Sequence, residues 1–300
     1  SVPDDCLDMA VLYLRVYLCG MPVIFLYNFE AAIFQSQGDT KTPLMCLIIS
    51  GVVNVILNLF FVIVCHLGVA GVALASMISQ FISAFLILRA LLTGKEKYCL
   101  RLSEIRLDKR KAVGILQIGI PSAFQYSLFA FANLFVQSSV NSFDHILVEG
   151  NSAAANADPL VYDMMAAFYT ACSSFIAQNF GARKKKRILQ TYLICLFYSF
   201  ITSLVLGVGI YLARYPFLYL FTSDKAVVEA GITRLSIMAL SYSASAFMDA
   251  SIAASRGLGK TAVPTFVVVM GSCVFRIIWI YTIFAYFHTI QSLYILYVFS

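Results

Sequence analysis

Long apolar runs separated by short polar breaks organise this chain. Runs of about 20 mainly apolar residues, enough to cross a hydrocarbon core as helix, recur at 10–35, 44–65, 69–92, 113–140, 152–178, 188–213, 228–255 and 263–287. A further apolar stretch fills 292–300. The pattern predicts an all-α integral membrane protein, a polytopic bundle with about nine helices present. The longest polar interruption sets three units: 1–93 with three helices, a linker at 94–112, and 113–300 with five helices plus part of a sixth.

Within the runs, polar residues fall in stripes at helical spacing. Tyr126, Asn133, Gln137 and Asn141 share one face; Asn156, Asp163, Thr170 and Ser174 share a second; Tyr242, Ser245 and Asp249 share a third. Ser50, Asn54 and Asn58 form a fourth. Two readings apply to such stripes. They line a water-filled cavity, or they bond neighbouring helices together, the better reading for Asn54 and Asn58. Three carboxylates, Glu30, Asp163 and Asp249, lie well inside their runs, where a bare ionised acid costs several kcal/mol. Each therefore has to meet water, a cation, a partner or a proton. Arg276 is read as the one buried base and could pair internally with Asp249.

Composition agrees with the pattern. Hydrophobic residues make up 61% of the chain and charged residues 12%, against about half and a quarter in soluble domains. The net charge of +6 is concentrated in two runs, Lys95 to Lys111 and Arg183 to Arg187. Basic clusters flanking apolar runs orient a bilayer protein, so the charge does not imply nucleic acid. Placing 38–43, 93–111, 181–187 and 256–261 in the cytoplasm leaves only Arg214 and Lys225 in the outside connections. His66, His145 and His288 then sit at outside ends and form no metal site. The eight cysteines contain no CxxC pair, and most lie in apolar runs, which implies neither a disulfide framework nor a metal site. No HExxH or GxSxG occurs, so no sequence signature of an intramembrane enzyme is present.

The chain also repeats itself. QSQGDTKTP at 35–43 aligns with RGLGKTAVP at 256–264, pairing Gly38 with Gly259, Thr40 with Thr261 and Pro43 with Pro264. Glycine suits the left-handed residue that closes a helix, and proline the first turn of the next. The same offset of 221 residues (38 to 259) maps the first three apolar runs onto the last three in the same orientation. This predicts a parallel repeat of two six-helix halves, with helices expected before residue 1 and after residue 300.

These residues resemble the multidrug and toxic compound extrusion transporters. The resemblance rests on Gly38, Asp39, Thr40 and Pro43, on Asn54 and Asn58, on Gly68 to Ala75, on Gln178 to Ala182, and on Arg256, Gly257 and Gly259. It implies two six-helix lobes around a V-shaped cavity in a multi-pass plasma-membrane protein acting as a monomer. It also implies export of small amphiphilic or cationic compounds by antiport with Na⁺ or H⁺, with no other cofactor. Other members carry a cation-binding Glu in the helix that reads PSAFQYSLFAFANLF here, without a carboxylate. The coupling ion therefore stays open. The resemblance makes Asp249 the first ion-coupling candidate, before Asp163 and Glu30. A flippase for lipid-linked saccharide on a related two-lobe plan is the alternative.

Overall fold

A computed structural model describes residues 4–93 and 100–300; Lys95 and Cys99 of the basic linker lie outside the described residues. The described chain forms helices α1 (Asp4–Ser36), α2 (Lys41–Val64), α3 (Gly68–Thr93), α4 (Lys109–Val140), α5 (His145–Ala155), α6 (Ala157–Gly181), α7 (Lys185–Leu212), α8 (Arg214–Tyr219), α9 (Lys225–Gly257), α10 (Ala262–Phe287) and α11 (Ile290–Phe299). Among the described residues seven spans are long and apolar enough to cross a membrane, with α5 and α6 counted together. Helix α9 makes an eighth if its halves, bent by 42°, form one span. Large apolar side chains face outward, as at Phe85 and Phe197. Hydrocarbon, not water, is the medium that tolerates such a surface.

The chain divides into two compact units, Ser1–Leu107 and Asp108–Ser300. The second begins earlier than the apolar pattern suggests because Asp108 caps α4, its carboxylate accepting from the amides of Arg110 and Lys111 at 2.9 and 3.2 Å. Lys109, Arg110 and Lys111, assigned to the linker, thus form the polar first turn of a helix. Likewise the run expected at 152–178 starts at His145 and breaks at Asn156. There the Asn156 amide turns back onto the carbonyls of Ser152 and Ala153, just ahead of Pro159.

In the first unit α1 packs on α3 through Tyr27, Ala31, Phe34, Ile87 and Leu91. Asn54 donates to Ser79 Oγ at 3.2 Å and Asn58 to Asn54 Oδ1 at 3.0 Å, so this stripe ties α2 to α3. In the second unit α9 is central, packed against α5, α6 and α7.

The repeat is visible in the backbone. Gly38 and Gly259 both have positive φ, +87° and +74°. Each donates to the carbonyl three residues back, and the following residue to the one five back, so the two helices end in the same Schellman turn. Both α2 and α10 carry a π-helical turn, at Phe60–Val64 and Ile280–Phe284. A left-handed histidine, His66 or His288, follows each.

After the first Schellman turn, Asp39 accepts from Thr42 Oγ1 at 2.6 Å and from the amides of Thr42 and Lys41. These bonds, the Thr42 hydroxyl first, hold its carboxyl below the usual aspartate range. A depressed native pKa gives stability that is present above the unfolded value and lost as pH falls through the native one. Asp39→Ala is expected to cost about 1 kcal/mol at neutral pH. The difference in thermal midpoint from the wild type should shrink below about pH 4. A pH-independent difference would deny the carboxylate this role.

Candidate functional site

The second unit encloses a cavity of about 670 Å³ between α4, α6, α9 and α10. Its wall combines aromatic rings with ionisable groups: Tyr126, Phe129, Tyr162 and Tyr169 alternate with Asp158, Arg234, Asp249 and Arg276. Four of the residues expected to line a cavity, Tyr126, Asn133, Gln137 and Ser245, do lie along it, and so does Asp249.

Three others lie outside the lining. Asn141 caps the end of α4 and accepts from Gln137 Nε2 at 2.9 Å. Asn156 is spent on the break between α5 and α6. Tyr242 is buried behind the wall, packed with Val161, Met165 and Met238. Asp163 is exposed on α6, away from this cavity. Glu30 belongs to the first unit, 4% exposed, with neither carboxylate oxygen hydrogen-bonded among the described residues.

The two cavity acids differ in kind. Asp158 is fully engaged: Arg234 Nη2 donates to Oδ2 at 2.6 Å and Tyr242 Oη to Oδ1 at 2.6 Å. Arg234 is itself 4% exposed, so this is a buried ion pair with a phenol as third member. Arg276 is therefore not the one buried base. Nor does Arg276 pair with Asp249; it donates to Asn133 Oδ1 at 2.6 Å and to Ser300 Oγ at 2.9 Å. Among the described residues Asp249 has no ion-pair partner and no side-chain hydrogen bond. It lines the cavity as an open carboxylate.

Arg256 braces residues of the wall without lining the cavity itself. It donates to Tyr169 Oη at 2.6 Å and to Gln125 Oε1 at 3.2 Å, where Thr265 Oγ1 also donates. The Arg-Gly-x-Gly motif thus supplies a cation held by phenols and an amide. The sequence reading missed Asp158 and Arg234. Both sit within apolar runs, where any ionisable residue signals a site; what the sequence does not signal is their pairing across 76 residues.

The MatE family profile matches residues 121–282, just over half the chain and most of the cavity wall. The chain belongs to the MatE family. The profile of the lipid II flippase MurJ also matches, over residues 4–158. Among curated relatives, the Bacillus subtilis probable multidrug resistance protein YpnP is 29% identical over 63% of this chain and 42% of its own length. A second from the same organism, YoeA, is 27% identical over 81% of this chain and 54% of its own. The chain thus spans about half the length of these relatives. A solved MOP superfamily transporter from Pyrococcus furiosus superposes with a TM-score of 0.92 at 21% identity, covering 99% of this chain and 67% of that one. At that identity the likeness speaks for the fold alone. The curated multidrug-resistance relatives agree with the MatE profile, and the apolar helices with a multi-pass membrane protein.

Proposed function

We propose that this MatE-family protein exports small organic, amphiphilic or cationic compounds across the plasma membrane by antiport with Na⁺ or H⁺. The observation that supports it is the contrast inside one cavity: Asp158 locked by Arg234 and Tyr242, Asp249 open. An ion-coupled exporter needs a carboxylate that takes up and releases a cation as the protein changes state, so that the gradient biases the equilibrium between states. A carboxylate with both oxygens committed cannot do this. One facing the cavity with Ser245 can.

The test is reconstitution of the protein, expressed from its complete gene, in liposomes loaded with a fluorescent organic cation. Imposed Na⁺ and proton gradients are applied in turn. Efflux driven by one of them is expected; efflux indifferent to both overturns the coupling. The MurJ match supports a second reading, a flippase for a lipid-linked saccharide. In the same liposomes that reading requires scrambling of the lipid between leaflets.

The topology follows from Lys and Arg placement, with 181–187 cytoplasmic. In intact cells a cysteine at Lys185 should resist a membrane-impermeant maleimide added outside, whereas one at Glu149 should react. Labelling at Lys185 would invert the orientation.

A further inference from the structure

Two arginines line the cavity and a third, Arg256, bonds to residues of its lining, and the three are not equivalent. Arg234 is neutralised by Asp158 at 2.6 Å. Arg256 is held by Tyr169 and Gln125. Arg276 is 4% exposed and has no carboxylate within ion-pair distance among the described residues. Its guanidinium lies between two rings, Phe129 at 4.5 Å and Tyr297 at 4.9 Å from the ring centroids. Nε and Nη1 are bonded to Ser300 and Asn133. Nη2 has no protein partner among the described residues, yet it is not among the sealed polar atoms. Arg276 lines the cavity.

A buried cation without a counter-charge is costly. Two aromatic faces offset part of that, and an anion would offset the rest. We propose that Arg276 is an anion-binding site, and that the compounds this cavity accepts carry an acidic group, a carboxylate or phosphate, which docks on its free edge. A planar guanidinium matches both groups with directed hydrogen bonds. The flanking rings select a ligand with an apolar or aromatic body next to its acid. Asp249 on the same wall leaves room for a basic centre, so a compound bearing both charges uses both anchors. The site rests on reading this cavity as the transport site, but its binding is measurable without transport.

The probes are dansylglycine and its neutral isostere dansylglycinamide, titrated by fluorescence against the protein from its complete gene in phosphatidylcholine nanodiscs. A charge-assisted hydrogen bond in a water-poor site gives the acid an expected advantage of about tenfold in Kd. Arg276→Gln should remove that advantage while amide binding persists. Asn133→Asp decides the matter if Arg276→Gln does not fold. It keeps the shape and sets an internal carboxylate against Nη1, which should also erase the preference. Equal affinities in the wild type, or a preference that survives both substitutions, overturn the site. Adding phosphatidylglycerol to the nanodiscs identifies the source of the acid: competition with dansylglycine assigns a lipid headgroup, and indifference a soluble compound, each in keeping with an acid site. Acid-selective binding without gradient-driven efflux would leave the site standing and remove the transport reading.

Discussion

Asp249→Asn in the protein from its complete gene is expected to abolish gradient-driven efflux while leaving the fold, and the binding of a compound without a basic centre, largely intact. The change keeps the side chain's shape and removes its charge. Because Asp249 has no ion-pair partner among the described residues, no buried cation is stranded by the loss. It lies seven residues before Arg256 on α9, about 10 Å along the helix, and Ser245, one turn away, shares its face. Efflux is measured in proteoliposomes with and without the ion gradient, and binding by fluorescence in the same preparation. Retention of gradient-driven efflux at the wild-type rate would take the coupling role away from Asp249.

Asp158→Asn should do the opposite. Its carboxylate is the counter-charge of a 4%-exposed Arg234, whose Nε and Nη1 have no hydrogen-bond partner of their own among the described residues. Breaking such a pair from one side leaves a buried charge and typically costs about 3–5 kcal/mol. The expected result is a large drop in thermal midpoint, or loss of monodisperse protein. Replacing both members, Asp158→Asn with Arg234→Met, removes the stranded charge and should recover much of the stability. If the single change leaves the midpoint untouched, the pair is no structural element, and the distinction between the two acids fails.

The stripe Tyr126, Asn133 and Gln137 is legible in the sequence because helical periodicity alone carries it, and the structure sets those residues along one cavity. The same periodicity misleads at helix ends. Asn141 and Asn156 continue their stripes on paper, but each stands where the helix stops, and its amide serves the backbone or a neighbour there. Tyr242 is on the expected face, and what turns it away is tertiary: Asp158 draws its hydroxyl. Pairings across 76 or 84 residues leave no local trace. The helix turns at Gly38 and Gly259 were readable because only backbone geometry and a missing Cβ are involved. The start of α4 was not, because an Asp cap ahead of three basic residues resembles a polar linker.

The glycines of the second unit carry a mechanical consequence. A methyl group at Gly207 would collide with the carbonyl of Ala239, one at Gly150 would meet Val227 O at 2.8 Å, and one at Gly257 would meet Ser173 O at 2.7 Å. Helix α9 is thus keyed at three heights to α7, α5 and α6, its backbone seated against theirs. A rearrangement that keeps these seats moves the four helices as one block, with Asp249 and the Asp158–Arg234 pair as fixed cargo. Arg276 rides on α10, between two π-helical turns, where the hydrogen-bond ladder already departs from regular α-helix. The acid anchor then belongs to the stator of this unit and the basic anchor to its compliant member, so flexing α10 alters their spacing without unseating any glycine.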